Sequence, residues 1–219
     1  PPILWKLYMP KRQLFVLFAC NFISFLGINT LMSLLPVYLE QLGVDPARTG
    51  SFFSTNFFAL GIGTVIAGWL LDRFRRRKLM VIGASAVTIP MMWLMGQTRD
   101  LTQLTIISIV YWFTMGIYFS TLNVLAGLFA TESERGRIFG LLSSAVAMSG
   151  IVSGAISGRV ADAWGFTVLF TATSVVLLSI PLIALLLEEY KDSDSAAQQG
   201  ETKRSFTLSK GFMVLFAAT

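Results

Sequence analysis

Six long apolar segments, separated by short polar connectors, constrain this chain more than any other feature of its sequence. Each segment is long enough, or nearly so, to cross the roughly 30 Å hydrocarbon core of a bilayer as a helix. Charged residues make up 13% of the chain, about half the share usual in soluble domains. The sequence therefore predicts an all-α integral membrane protein with spans at 14–39, 49–71, 79–96, 101–130, 138–160 and 165–187.

The distribution of Lys and Arg predicts the orientation of these spans. Fourteen of the 17 cations lie in the N-terminal tail, the second and fourth connectors and the stretch after residue 187. The other connectors hold one each: Arg48, Arg99 and Arg159. By the positive-inside rule the N-terminus is cytoplasmic. Because topology accounts for the net charge of +5, we expect no nucleic-acid partner, and we expect a multi-pass protein of a plasma membrane, with a bacterial inner membrane favoured.

The hydrophilic stretch near the C-terminal end predicts a division of the chain. Residues 1–188 are expected to form a six-helix transmembrane domain, and residues 189–210 a flexible cytoplasmic linker. Residues 211–219, "GFMVLFAAT", are apolar but too short to span a bilayer, so they are expected to begin a seventh helix. With a Pro-Pro start, this pattern is typical of a fragment of a longer chain.

A faint internal repeat links two connectors. "AGWLLDRFR" (67–75) and "SGRVADAWG" (157–165) share a glycine, three residues and an aspartate, which places Asp72 and Asp162 at equivalent positions. Each aspartate follows the second helix of a three-helix set, and an odd number of spans separates them. The spacing therefore predicts two inverted three-helix repeats, helices 1–3 and helices 4–6.

Three stretches carry a resemblance to a known family. "GWLLDRFRRR" (68–77) resembles the loop 2–3 signature of the major facilitator superfamily, whose second glycine is Arg75 here. "TESERGRIFG" (131–140) and "SGRVADAWGFTVLF" (157–170) resemble that family's connectors before helix five and helix six. The resemblance implies the N-terminal six-helix half of the family's fold, with a missing C-terminal half as its partner. It also implies a cytoplasmic gate contact formed by Gly68, Asp72, Arg73, Arg76 and Arg77; the alternative is that these cations only fix topology.

Polar residues inside the apolar spans are the candidates for a substrate site. Burying them is costly unless they meet a partner or water. Tyr111 and Tyr118 are seven residues apart and share one helix face, and the resemblance implies that helices one and four line a central cavity. The cavity candidates are Asn21, Ser24, Asn29, Asn56, Tyr111, Thr114, Met115, Tyr118 and Asn123. The alternative for any single one of the Asn, Ser and Thr residues is a hydrogen bond between helices.

Helix five carries a ridge of small residues. Gly150, Gly154 and Gly158, followed by Asp162, are spaced for close packing against another helix. The family's drug-antiporter branch has a proline in this helix and an arginine in helix four. Here residues 138–160 contain no proline and Trp112 stands at the arginine position. Those signatures of the drug-antiporter branch are therefore not found.

The combined pattern predicts a secondary active transporter that moves a small solute by alternating access, with hydrophobic or drug-like efflux as one form. The alternatives are a facilitative uniporter, a sugar or metabolite uptake carrier, or, less favoured, a channel or scaffold. No charged residue lies deep in any span, so either a proton or other coupling ion acts through the missing half, or the substrate is neutral or hydrophobic and needs no fixed countercharge here. With no histidine and only Cys20, we expect no catalytic residues, no metal site, no cofactor and no enzymatic activity.

Overall fold

The computed structural model describes residues 11–74, 76–130 and 133–188 of the chain. Regular structure over these residues is entirely helical, which confirms the predicted all-α class. The predicted linker, the predicted start of a seventh helix and Arg75 lie outside the described residues. The helices are α1 (Lys11–Gln41), α2 (Pro46–Phe74), α3 (Arg77–Met95), α4 (Leu101–Phe129), α5 (Arg135–Leu177) and α6 (Ser179–Ala184).

Two aspartates fix where helices begin at one end of the bundle. Asp45 precedes α2, and its carboxylate accepts a hydrogen bond from the Arg48 backbone N–H at 3.0 Å. Pro46 follows at the first helical position, where its missing N–H costs nothing. Asp100 caps α4 in the same way, accepting from the Gln103 backbone N–H at 2.9 Å. These short connectors are therefore set by local capping chemistry.

The fifth span and its connector differ from the prediction. Helix α5 does not end near residue 160; it continues through the stretch "ADAWG" as part of a 43-residue element. Within that element Gly165 alone is non-helical, with φ 81° and ψ 170°, a left-handed conformation that glycine adopts without a Cβ penalty. A single glycine therefore makes the turn that was predicted to take a polar connector.

Contacts with α1 show that the chain reverses direction at Gly165. Before it, Asn21 bonds the Leu142 carbonyl, and Thr30 hydrogen-bonds Ser157 at 3.1 Å, so this part of α5 runs parallel to α1. The part after Gly165 runs the opposite way, because its successive contacts fall progressively earlier on α1: Phe166 meets Tyr38, Leu177 lies beside Gly27, and Leu186 bonds Gln13. The bundle therefore has six crossings.

The sixth crossing is made of two helical pieces. The part of α5 after Gly165 ends at Leu177, and α6 begins at Ser179. Pro181 has no N–H to donate to the Leu177 carbonyl, which accounts for an interruption at this point. Pro90, by contrast, lies inside α3 without ending it. Neighbouring helices stabilise such bent spans in a membrane bundle.

The pairing of helices follows the inverted repeat. Helix α1 makes its most extensive contact with α5, and α2 makes its most extensive contact with α4. Exchanging helix 1 with helix 4 and helix 2 with helix 5 converts one pair into the other. The described bundle is thus two three-helix sets related as the sequence repeat predicted.

The outer surface of the bundle is apolar. Five helical stretches in the described residues are long and apolar enough to cross a membrane, and the last, Arg135–Ala184, contains the reversal and so provides two crossings. Phe58, Val65 and Ile151 are each more than 70% exposed. Hydrocarbon chains suit such side chains, whereas water does not. The chain is a multi-pass membrane protein.

Helices α2 and α4 touch through their backbones. A Cβ atom at Gly63 would overlap the Phe113 carbonyl oxygen, and one at Gly116 would overlap the Leu60 carbonyl oxygen. Only glycine fits at these two positions, because any side chain would push the helices apart. Gly61, two residues from Gly63, has nothing within 4 Å of the place where its Cβ would lie.

This contact predicts that Gly63→Ala lowers the free energy of unfolding by about 1–3 kcal/mol, the usual cost of forcing extra volume into a packed interface. Gly61→Ala is the matched control, and it should be neutral or stabilising by about 0.5–1 kcal/mol because alanine favours the helix. Thermal unfolding of the purified protein in detergent measures both. Equal melting temperatures for the two variants would contradict the backbone contact.

Candidate functional site

The predicted gate motif lies in the turn between α2 and α3. Only residues 75–76 separate the two helices. Gly68 has open space where a side chain would lie. Asp72 lies in the C-terminal turn of α2, where the helix dipole disfavours an anion. The exposed gate residues are Gly68, Asp72, Arg73 and Arg76, and Arg77 is half-buried at the start of α3.

Three helix ends are tied together beside this turn. Lys78, at the start of α3, donates a hydrogen bond to the Leu185 carbonyl. Gln13, at the start of α1, donates to the Leu186 carbonyl at 3.1 Å and accepts from the Glu188 backbone N–H at 3.2 Å. These bonds satisfy carbonyl groups that the end of a helix leaves without partners. The turn is thus anchored to a fixed end of the bundle.

The repeat-related Asp162 lies at the opposite end. It comes three residues before the reversal at Gly165, and just after that reversal Thr167 donates to the Gly96 carbonyl at 2.7 Å. Gly96 follows the C-terminal end of α3, whose N-terminal end adjoins the gate motif. The two Gly-x-x-x-Asp sequences therefore sit at opposite ends of the bundle, as an inverted repeat requires.

The predicted cavity residues are mostly enclosed within the bundle. Asn29 is half-buried and Asn123 is exposed. A ligand outside the bundle reaches those two most readily in this state. The buried candidates are Asn21, Ser24, Asn56, Tyr111, Thr114, Met115 and Tyr118.

Tyr118 is bound between α1 and α4. Its hydroxyl donates to the Cys20 carbonyl at 3.1 Å, and Phe25 stacks against Phe119 with ring centroids 4.8 Å apart. Ser24, one turn along α1, donates to the Asn21 carbonyl at 2.9 Å. The structure thus brings the α1 and α4 candidates together. Tyr118 holds these two helices to each other.

Helices α1 and α5 are joined by a row of direct hydrogen bonds. Asn21 Nδ2 donates to the Leu142 carbonyl at 2.9 Å, and Asn29 Nδ2 donates to Ser149 Oγ at 3.0 Å. Thr30, Ser153 and Ser157 form a closed set of hydroxyl contacts of 3.0–3.1 Å. Ser149, Ser153 and Ser157 are named the serine row. They are absent from the predicted site residues, although their four-residue spacing is visible in the sequence.

The predicted glycine ridge lies one residue beyond that row. A Cβ atom at Gly150 would lie 3.6 Å from Asn29 Nδ2, whereas one at Gly154 or Gly158 would have nothing within 4 Å. The serines face α1, and Gly150 lies near it, whereas Gly154 and Gly158 do not contact it. The packing partner predicted for Gly154 and Gly158 is therefore not among the described helices, and it stays a prediction.

Helices α2 and α4 carry buried polar groups that lack hydrogen-bond partners within the described part of the chain. Both amide atoms of Asn56 are buried without a partner among the described residues, and so is the Tyr111 hydroxyl. Ser108 Oγ and Trp112 Nε1 share this condition. All four side chains are neutral, so this level of the bundle offers hydrogen bonds without a fixed charge.

In the part of the chain that the structure describes, no three His, Cys, Asp or Glu residues come together as a set of metal ligands. The charged side chains of the site lie at the ends of helices. The arrangement can bind a neutral molecule by hydrogen bonding and apolar contact, while the charged residues of the predicted gate motif lie at one end of the bundle.

A sequence model described as "Major Facilitator Superfamily" matches residues 17–219. Among curated proteins, the Multidrug resistance protein MdtG of Serratia proteamaculans is 30% identical over 186 residues, which cover 83% of this chain and 45% of that protein. MdtG of Klebsiella pneumoniae is 29% identical over 192 residues, with 85% and 45% covered. MdtG of Proteus mirabilis is 27% identical over 180 residues, with 80% and 44% covered. The chain spans about 45% of the length of these relatives.

These matches bear on two predictions. The missing helix-five proline does not separate this chain from proteins named for multidrug resistance. The matched family is one of transporters, which confirms the prediction that the chain is not an enzyme. The family match covers most of the chain and includes all six crossings except the first residues of α1. The chain belongs to the Major Facilitator Superfamily.

Proposed function

We propose that this chain forms the N-terminal six-helix half of a secondary active transporter, which exports a drug-like small solute by alternating access. The observation that carries the proposal is the family match over residues 17–219, which covers the paired bundle except the first residues of α1. The names of the relatives favour drug efflux over sugar or metabolite uptake. A second six-helix half completes the transporter, and the two halves rock about a site near the bilayer midplane.

The substrate of this proposal is neutral or carries its charge away from this half. No charged side chain lies deep in the described spans, and the buried polar groups of α1, α2 and α4 are amides, hydroxyls and one indole. A cation or anion would lose its hydration there without meeting an opposite charge. Coupling to a proton or another ion would then depend on groups of the other half.

The gate in this proposal lies on the cytoplasmic side. Asp72 is exposed in the C-terminal turn of α2, where carbonyl groups repel it. A cation or a helix N-terminus of the other half would stabilise it there, while Arg73 and Arg76 are exposed and can approach carboxylates. Such a contact would hold the cytoplasmic side closed in one conformation and release it in the other.

The direction of transport tests the proposal most directly. Cells that express the full-length protein should accumulate less of a lipophilic fluorescent dye than cells that carry an empty vector. Everted membrane vesicles should accumulate more of the same dye, because export from the cell is import into the vesicle. Dye uptake into intact cells would contradict export and favour an uptake carrier of the same fold.

The gate contact predicts that Asp72→Asn in the full-length protein slows dye export roughly tenfold, since hydrogen bonds to charged groups contribute about 1.5–3 kcal/mol. Asp45→Asn is the matched control. It removes the same charge from the opposite end of α2, where asparagine caps the helix equally well. The Asp45–Arg48 ion pair that it breaks is exposed and contributes little. Equal export rates at equal expression would contradict the gate.

Because Asn123 is exposed on α4, we propose that it contacts the substrate. We expect Asn123→Ala to raise the KM for export about two- to tenfold, the range for losing one neutral hydrogen bond. Its effect on folding should be small, because Asn123 is exposed. Thr171→Val is the control: Thr171 is half-buried, and its hydroxyl bonds the Thr167 carbonyl of its own helix. An unchanged KM for Asn123→Ala would remove this residue from the substrate site.

A further inference from the structure

Four buried polar side chains of α2 and α4 have unpartnered polar atoms in the described part of the chain. They are named the polar cluster and comprise Asn56, Ser108, Tyr111 and Trp112, each no more than 2% exposed. None of their buried polar atoms has a hydrogen-bond partner among the described residues. Leaving such a group unsatisfied costs about 1–3 kcal/mol. Four such side chains on two packed helices require an explanation.

The packing of α2 against α4 places Asn56 at about the same height along the bundle as Ser108 and Trp112. Ser108, Trp112 and Gly116 are four residues apart on α4 and therefore share one face. Gly116 lies against Leu60 of α2, and the rings of Phe57 and Trp112 are 5.5 Å apart. Asn56 is one helical turn before Leu60, so it lies level with Ser108 and Trp112.

Tyr111 completes the cluster. Its ring lies 5.9 Å from that of Trp112, centroid to centroid, in an edge-on arrangement. Tyr118, two turns later on the same helix, is equally buried but donates to the Cys20 carbonyl. Two tyrosines on one helix thus differ in whether the hydroxyl has a partner.

The interfaces between α1 and α5 and between α2 and α4 are each called a seam. In the seam between α1 and α5, buried polar side chains have hydrogen-bond partners. Between α1 and α5, Asn21, Asn29 and Thr30 all hydrogen-bond to α5 directly. The repeat relates that seam to the one between α2 and α4. The lack of partners is therefore a property of one seam and does not extend to its repeat-related counterpart.

The hydrogen-bond donors and acceptors of the cluster suit bound water. Asn56 offers two donors and an acceptor, Ser108 and Tyr111 each donate and accept, and Trp112 only donates. Water donates and accepts, and a buried water typically makes about three hydrogen bonds. A metal cation is a poor guest, because the Trp112 N–H and the Asn56 NH₂ present hydrogens to it and no carboxylate belongs to the cluster.

We propose that Asn56, Ser108, Tyr111 and Trp112 form an internal hydration site, in which ordered water bonds to their buried polar atoms. The observation behind the proposal is that none of these atoms has a hydrogen-bond partner among the described residues. The backbone contact of Gly63 with Phe113, about two turns away on α2, holds the two helices close together beside the site.

Radiolytic footprinting of the full-length protein tests this site. Hydroxyl radicals made from bound water by an X-ray pulse oxidise the side chains beside that water, and mass spectrometry measures the rate for each residue. Tyr111 should be oxidised several-fold faster than Tyr118, which has the same chemistry and the same burial. Equal, slow oxidation of the two tyrosines would overturn the proposal.

A double variant tests the cluster itself. Asn56→Leu with Ser108→Ala removes the anchors for water at nearly constant volume, and Tyr111 oxidation should fall to the rate of Tyr118. Ser174→Ala, which removes a buried hydroxyl bonded to its own helix, is the control and should leave Tyr111 oxidation unchanged. Undiminished Tyr111 oxidation in a folded double variant would contradict hydration by these residues.

The hydration site does not depend on the proposed transport function. If dye export fails and Tyr111 is oxidised quickly, the site stands and the transport proposal falls. If export succeeds and Tyr111 is oxidised as slowly as Tyr118, the transport proposal stands and the site falls. The wild-type comparison needs no substitution, so a misfolded variant leaves the test intact.

Discussion

No water is available in the hydrocarbon core of a bilayer, so each polar group there must find its partner inside the protein. This constraint accounts for the helices, and it also shapes how they pair. Asn21, Asn29 and Thr30 of α1 meet carbonyl and hydroxyl groups of α5 directly. The ends of the spans follow the same rule, since Gln13 and Lys78 satisfy carbonyl groups at the end of the sixth crossing.

The two repeat-related seams meet this constraint in different ways. Gly63 and Ser153 are 90 residues apart, the same offset that relates Asp72 to Asp162. Ser153 joins α5 to α1 through its hydroxyl, whereas Gly63 lets the backbones of α2 and α4 touch. One seam is held by hydrogen bonds and the other by close packing. Internal symmetry in the fold therefore does not require the same interactions in both halves of the repeat.

The sequence is sufficient to predict the spans and the repeat, because long apolar segments and cation placement reflect the bilayer itself. It is a poorer guide to which side of a helix faces a neighbour, since these helices are apolar around most of their circumference. The serine row and the glycine ridge of α5 have the same spacing one residue apart, and only packing against α1 distinguishes them. The reversal at Gly165 falls at the predicted junction of the fifth and sixth spans, but the sequence does not reveal that one left-handed glycine makes the turn, because it leaves no change in hydropathy.

Helix α2 connects the features on which the proposals rest. Asn56 of the polar cluster and Asp72 of the gate motif are 16 residues apart on this one helix, or about 24 Å at 1.5 Å per residue. Gly63 lies between them and holds α2 against α4. The proposed hydration site and the proposed gate therefore lie on opposite sides of one helix contact, so Asn56→Leu and Asp72→Asn test the two proposals separately.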